Sequence, residues 1–311
     1  MKKIVTIGGG SGQPELLRAL KKYPYRLSAL VSMMDNGGSS GVLREEVGVL
    51  PPGDLRRSIV ALADASVESD WHSLWEERDA QGHAFGNVAL VEKTQELGDM
   101  QLAADWFLQQ MDSEHEAICS TLEPTDLAAD FSDGTHVIGE HEITVPTAST
   151  RQIDAQIERI ELVPVVEAAP RAFQAIKSAD VIVLSMGDVF TSVIPVLLLE
   201  GITDTIAERQ QIAKIPVIVV CNRTTKLGET HGFSMKQLVD TFAFYLDPGT
   251  VTHAIVDSYA VPVPGSTERF SEAAIDPAIA VTRIDLSDEQ NLAVVSGAKA
   301  AKAIHDILGT L

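Results

Sequence analysis

The opening of the chain, Lys3-Ile4-Val5-Thr6-Ile7 running into Gly8-Gly9-Gly10-Ser11-Gly12, constrains the fold more than any other segment. The apolar run reads as a buried strand, and the glycines read as a tight turn. Pro14 to Lys22 reads as a helix with Pro14 in its first turn, where a missing N–H costs nothing. This is a β-loop-α unit. Leu27 to Met33 is the next apolar run and Asp35 to Gly41 a loop, while Leu55 to Ala63 is predicted helical with Asp54 as its N-cap. The same rhythm returns later, with strands at Asp180 to Leu184 and Ile215 to Val220 and helices over Arg171 to Lys177, Pro195 to Glu200 and Met235 to Leu246, the last capped by Ser234. Such alternation builds a parallel sheet. The expected fold class is α/β, a Rossmann-like, doubly wound and mainly parallel sheet.

Trp71 to Asp79 and Asn87 to Met111 read as helices broken by Gly82 to Gly86. From Ala117 to Pro170 the pattern changes. Thr135 to Ile138, His141 to Val145 and Ile157 to Val166 are short β-prone pieces, which predict a small antiparallel β excursion around 117–170 within one domain over 1–311. Ile255 to Tyr259 and Ala280 to Ile284 are further strand candidates, and Asn291 to Leu308 reads as a terminal helix.

A net charge of −20 repels nucleic acid and anionic membrane surfaces, so neither is expected as a partner. An anionic ligand must then be held by backbone N–H groups, helix N-termini, a metal ion or a few placed cations. Cys119 and Cys221 are the only cysteines, too few for a disulfide framework, and a cytoplasmic location is expected. Val189 to Leu199, the longest apolar stretch, is interrupted by Thr191, Ser192 and Pro195 and is too short to span a bilayer.

The loops that follow strands carry the chemistry, because ligands of open α/β sheets bind beyond the carboxyl ends of the strands. Gly9, Gly10, Ser11 and Gly12 bring backbone close to a phosphate, or else form a turn. The dinucleotide fingerprint fails at Gln13, and no Walker Lys-Ser/Thr follows. Gly37, Gly38, Ser39 and Ser40 offer N–H groups to a diphosphate, while Asp35 suits Mg²⁺ or a ribose hydroxyl. Asp54 is a helix cap or a second metal ligand, and Arg56 and Arg57 sit in a first helical turn whose dipole disfavours cations, a hint of a nearby anion. His83 is a general acid, a phosphate ligand or a structural histidine, with the Asn87 amide beside it. Gly187, Asp188, Thr191, Asn222 and Lys226 lie on the loops after the later strands, as does Glu229.

Taken together, these segments resemble the CofD/YvcK family, and its YvcK branch in particular. The resemblance rests on Gly8 to Gly12, Asp35 to Gly41 with Leu43-Arg44-Glu45, Leu50-Pro51-Pro52-Gly53-Asp54-Leu55-Arg56, Gly82 to Asn87, Thr191 to Pro195, and Cys221-Asn222 with Gly228-Glu229-Thr230. It implies a Rossmann-like domain, often homodimeric, that binds a nucleotide diphosphate conjugate between these loops. YvcK-like proteins are associated with UDP-sugars and with control of central carbon metabolism and cell-wall synthesis, which gives the first functional expectation. The alternative is a CofD-like, Mg²⁺-dependent transferase moving a phospholactyl-type group from such a conjugate to a deazaflavin. Aromatic content of only 5% speaks against a large planar acceptor, and an NAD-dependent oxidoreductase is disfavoured by the missing fingerprint glycine. Three departures stand out: Asn36 where the family commonly has Asp, Ser185-Met186-Gly187-Asp188 where it reads Gly-Pro-Gly-Ser, and Lys226 in the loop before Gly228. An Asp188–Lys226 ion pair is expected to offset the added carboxylate. The two glycine loops are expected to converge on the diphosphate, with Gly10→Val abolishing binding while the fold survives.

Overall fold

The computed structural model describes residues 1–145, 151–263 and 268–310. Seven strands form one sheet: β1 (Lys2–Gly8), β2 (Tyr25–Val31), β3 (Glu116–Cys119), β7 (Val181–Leu184), β8 (Val217–Val220), β9 (His253–Asp257) and β10 (Ala280–Ile284). Three more, β4 (Asp126–Phe131), β5 (His136–Ile138) and β6 (Ile157–Val163), form a second sheet. The large sheet runs β10-β9-β8-β7-β1-β2-β3, and every neighbouring pair is parallel. The small one is antiparallel in the order β5-β4-β6. The expected parallel sheet with a small antiparallel excursion is therefore present. From β1 the chain steps outward through β2 to β3, then returns to the other side of β1 as β7. That reversal is the topological switch point, and the crevice it opens lies beyond the carboxyl ends of β1 and β7.

The central strands are apolar on both faces: Ile4, Val5 and Ile7 of β1 and all of β7 are buried, as a sheet covered on both sides requires. Helices α1 (Gly12–Leu20), α2 (Gly38–Val47), α3 (Gly53–Leu62), α4 (Glu68–Glu76), α5 (Phe85–Leu97) and α6 (Met100–Gln110) follow the first two strands. α7 (Glu140–Thr144) joins β5 to the segment before β6, and α8 (Pro170–Ser178) leads into β7. A single π-helical turn, Val189–Val193, then runs into α9 (Ile194–Leu197), followed by α10 (Ile202–Ala213), α11 (Met235–Tyr245) and α12 (Gly297–Thr310). Ser234 caps α11, as the sequence predicts, and the cap is a reciprocal capping box with Gln237. No helix among the described residues is long and apolar enough to cross a membrane.

Several boundaries differ from the sequence reading, each for a local reason. The helix expected over Asn87 to Met111 is two helices, because the chain turns at Gly98 and Asp99 starts α6 by accepting from Leu102 N–H at 2.9 Å. His141 to Val145 is not a strand. It is covered by α7 and its C-cap, held by Ile143 N–H to Gly139 O (3.1 Å) and by the Thr144 hydroxyl donating to Glu140 (2.9 Å). Residues 146–150 of the predicted excursion lie outside the described residues. The loop Asp35 to Gly41 becomes helical from Gly38. Asp54 is not the N-cap of α3; Pro52 holds that position, and the Asp54 carboxylate turns to the glycine loop instead. The terminal helix starts at Gly297, after Ser296 N–H has bonded Leu286 O at 2.8 Å. Gln13, which breaks the dinucleotide fingerprint, is fully buried. Its amide donates to Thr6 O (3.3 Å), Thr6 Oγ1 (3.1 Å) and Leu30 O (3.2 Å), bolting α1 to β1 and β2.

The turn after β1 is where the sheet's two halves meet. An ideal Cβ on Gly12 would sit 2.0 Å from the backbone oxygen of Met186, in the loop after β7, so only glycine allows this approach. Gly10 has φ +63°, a left-handed conformation in which a β-branched residue is strained, so Gly10→Val strains the fold as well as any ligand contact. Gly12→Ala is expected to lower unfolding free energy by about 2 kcal/mol or more, against less than about 0.5 kcal/mol for Ser11→Ala on the exposed neighbour. Urea denaturation measures both, and equal midpoints would show that the loops do not depend on this contact.

Candidate functional site

Two cavities of about 320 Å³ each open beyond the carboxyl edge of the sheet. The first is lined by Asp35, Gly37 to Ser40, Gly53, Arg56, Arg57, Arg78, Asn87, Glu140 and His141. It is built where β2 ends. Ser32 N–H bonds Gly8 O at 2.8 Å, which fixes the exit of β2, and the Asp35 carboxylate then accepts from Gly37 N–H at 2.9 Å to turn the chain into α2. α5 delivers Asn87, whose amide donates to Ser39 Oγ at 3.0 Å, and His83 Nδ1 reaches the same oxygen at 3.0 Å. His83 is not part of the cavity lining and touches it through Ser39.

Its electrostatics combine cations and carboxylates. Arg57 pairs with Asp54, Arg78 donates to Gly82 O at 2.6 Å, and Arg56 is buried with its guanidinium on Trp75 O and Glu76, each at 2.9 Å. Burial lowers the Arg56 pKa from its ordinary value. The Asp35 carboxyl is raised, first by burial and then by the charge of Asp54, despite the N–H of Gly37 and the hydroxyl of Ser40. Glu140 is pushed up to about 7, first by burial and with Asp35 and Asp54 adding to it, against the Thr144 hydroxyl that favours the anion.

Glu140 and His141 arrive from the small sheet, and Asn36 holds them there. Its Oδ1 accepts from His141 N–H at 2.7 Å and its Nδ2 donates to Glu142 at 3.0 Å, an orientation set by the hydrogen-bond network. This accounts for Asn where the resembled family carries Asp, since a carboxylate here would face Glu142.

The second cavity is lined by Ser11, Gly12, Glu15, Met186, Gly187, Asp188, Asn222 to Lys226, and Ala293 to Val295. Asn222 ties the loop after β8 to the loop after β7, donating to Gly187 O at 2.7 Å. Lys226 forms the expected ion pair with Asp188 and a second one, at 2.8 Å, with the fully buried Glu229. The Glu229 carboxyl is raised by burial and then by Asp188, and drawn back by Lys226. Thr191 is buried, with its hydroxyl 3.5 Å from Glu229.

The sequence-predicted residues thus divide. Asp35, Gly37, Gly38, Ser39, Ser40, Arg56 and Asn87 line the first cavity; Ser11, Gly12, Gly187, Asp188, Asn222 and Lys226 line the second. Gly9, Gly10 and Asp54 stand between them, joined by Gly10 N–H donating to Asp54 at 2.6 Å. One donor that the sequence reading offers to phosphate is therefore already used. Arg78, Glu140 and His141 were not foreseen. Arg78 has only its nearness to the Gly82 turn as a signal, and the other two depend on the docking of α7, which no local pattern encodes. Among the described residues no group of three or more His, Cys, Asp or Glu is arranged to hold a metal ion.

Comparison with known proteins places this geometry in a family. A sequence model described as 2-phospho-L-lactate transferase CofD matches residues 4–297. A relative from Nostoc sp., provisionally named a gluconeogenesis factor, is 39% identical over 239 residues, 75% of this chain and 50% of that one, so the chain spans about half its length. The gluconeogenesis factor of Listeria monocytogenes is 31% identical over 264 residues, covering 84% of this chain and 79% of that one. A crystal structure of a UPF0052 family protein from Bacillus halodurans superposes with a TM-score of 0.85 at 27% identity, covering 98% of both chains.

Two outcomes test the site's electrostatics. The ordinary Glu140 pKa is 4.5 and the folded one about 7, so between those pH values the folded chain keeps a proton the unfolded chain has released. Stability then falls as pH rises through that window, by no more than about 3 kcal/mol. Glu140→Gln is expected to remove this slope and to stabilise the protein at pH 8 in urea titrations; an unchanged slope would show that Glu140 titrates normally. Asn36→Asp is expected to cost about 1 kcal/mol, recovered when Glu142→Gln is added. Additive losses in that double-mutant cycle would contradict the contact.

Proposed function

Because the chain belongs to the CofD family, we propose that it binds a nucleotide diphosphate conjugate of the UDP-sugar type and acts as a regulator of central carbon metabolism and cell-wall synthesis. The observation that carries this reading is the first cavity. In a chain of net charge −20, it gathers Arg56, Arg57 and Arg78 with the backbone of Gly37 to Ser40 at the start of α2. Arginine forks and N-terminal N–H groups are what a diphosphate requires. The reading also takes the protein as a cytoplasmic homodimer; Cys119 and Cys221 are buried free thiols, and burial pushes Cys221 up to about 12.

Mg²⁺ belongs to the same proposal. The Asp35 carboxyl is raised first by burial and then by the charge of Asp54, and a cation held beside the two carboxylates would relieve both. Mg²⁺ takes one or two carboxylates and completes its shell with water and phosphate oxygens, so Asp35 with Asp54 suffices, Asp54 sharing its charge with Arg57. The ion would neutralise phosphate charge beside these carboxylates.

A CofD-like transferase is the second reading, favoured by the description of the matching family. Against it, the described residues lining the two cavities include no Phe, Tyr or Trp on which a deazaflavin ring would stack. A thermal-shift panel of UDP-sugars, GDP and NAD, with and without Mg²⁺, tests the proposal, since a ligand bound to the folded state raises apparent stability. UDP-sugars are expected to give the largest shift. Arg57→Gln and Arg78→Ala should each weaken binding roughly tenfold, and Asp35→Asn should remove the Mg²⁺ dependence. A preference for GDP would favour the transferase, and no shift with any nucleotide would contradict both readings.

A further inference from the structure

The second cavity differs from the first in how fully its cations are engaged: Arg57 and Arg78 of the first each spend one terminal nitrogen, on Asp54 and on Gly82 O, among the described residues. Its lining includes only two, Lys226 and Arg223, among the described residues. Lys226 is shared between the carboxylates of Asp188 and Glu229. Arg223 is fully buried: its Nε lies 3.3 Å from Asp257, one terminal nitrogen donates to Val261 O at 2.7 Å, and the other donates to Leu292 O. Both are committed to protein acceptors, and two acidic residues belong to the same lining, Asp188 and Glu15, the latter with its carboxylate paired to Arg18 at 2.5 Å. A phosphate entering here would find its cations taken and would meet like charge. The remaining surface is of another kind: Met186, Val294 and Val295 give an apolar wall, and Thr224, Thr225 and Asn222 are neutral polar groups whose donors go to Ala293 O (3.2 Å), Glu268 (2.8 Å) and Gly187 O (2.7 Å), which leaves their oxygens to accept from ring hydroxyls.

We propose that this cavity is the subsite for a neutral, hydroxyl-bearing ring of the ligand, and that Asp188 is its specificity determinant. The proposal rests on the nucleotide reading of the first cavity. The Asp188 side chain is 40% exposed and bonded only to Lys226 among the described residues, so its outer lone pairs face incoming donors. A carboxylate accepts from one or two ring hydroxyls and rejects a phosphate or carboxylate in their place. The tie from Lys226 fixes its orientation, and Glu229 beneath fixes Lys226 in turn. Two rings of a nucleotide sugar have this chemistry, the ribose and the sugar, and ligand pairs that add a negative charge to one or the other distinguish them.

The test follows backbone and side-chain amides by NMR during titration with inorganic phosphate. In the parent protein, Gly38 and Ser39 are expected to shift saturably while Gly187 and Asn222 stay still. In Asp188→Ser, Gly187 and Asn222 are expected to begin shifting. Saturable shifts at Gly187 and Asn222 in the parent, or none in Asp188→Ser, would overturn the proposal. Silence at Gly38 and Ser39 would instead count against the nucleotide reading, so the two failures are read at different residues. Calorimetry then compares UDP-glucose with UDP-glucuronate and UDP with 3′-phospho-UDP. One charged member is expected to bind at least tenfold more weakly than its neutral partner, a gap that Asp188→Ser narrows to threefold or less. Equal affinities within both pairs would also overturn it.

Discussion

The site depends on how closely backbone approaches backbone at the carboxyl end of β1. A side chain on Gly12 would collide with the Met186 carbonyl, and one on Gly9 would lie 2.4 Å from the Asp54 carboxylate. With both side chains absent, the turn is gripped from two directions, by the loop after β7 and by the first turn of α3. The grip on the α3 side is a single charge-assisted hydrogen bond from Gly10 N–H to Asp54. That bond orients the carboxylate that holds Arg57, and Arg57 forms part of the first cavity's wall. Sheet topology, loop packing and the placement of a half-buried cation are thus one connected arrangement.

A strongly acidic chain has to concentrate its few cations to hold an anion, and here Arg56, Arg57 and Lys226 are placed by carboxylates and Arg78 by the carbonyl of Gly82. Half-exposed ion pairs of this sort are poor sources of stability, because solvent screens their attraction and ordering two long side chains offsets it. Their placement at a strand-end crevice is the feature on which the proposed ligand site rests. The two cavities use the device differently. Arg57 and Arg78 reach the first cavity with donor capacity to spare, whereas Lys226 is bound by two carboxylates before any ligand arrives. The result is a crevice lined by arginines on one side and by a lysine already paired with two carboxylates on the other, with the Gly9-Gly10 turn between them.

Much of this was legible in the sequence because it is encoded locally. Apolar runs followed by glycine-rich turns gave the large sheet, and the Asp188–Lys226 pair could be anticipated from two reciprocal departures on neighbouring loops. What was not legible depends on tertiary docking. Asp54 in a helix's first turn reads as a cap, and only the arrival of Gly10 makes it a bridge between loops. Glu140 sits in a five-residue helix whose pattern resembles a short strand, and it reaches the cavity because Asn36 clasps that helix across more than a hundred residues of sequence. Gln13 looked like a failed nucleotide fingerprint and proved to be a buried bolt between strands.

The central claim is that the arginine-lined cavity holds the ligand's phosphates. A crystal structure with a bound UDP-sugar tests it most directly, because phosphorus is readily located in electron density. The account predicts both phosphates within hydrogen-bonding reach of the Arg57 guanidinium and the Ser39 hydroxyl, with a neutral ring turned toward Asp188. A diphosphate lodged instead between Lys226 and Asn222, with the arginines untouched, would contradict it.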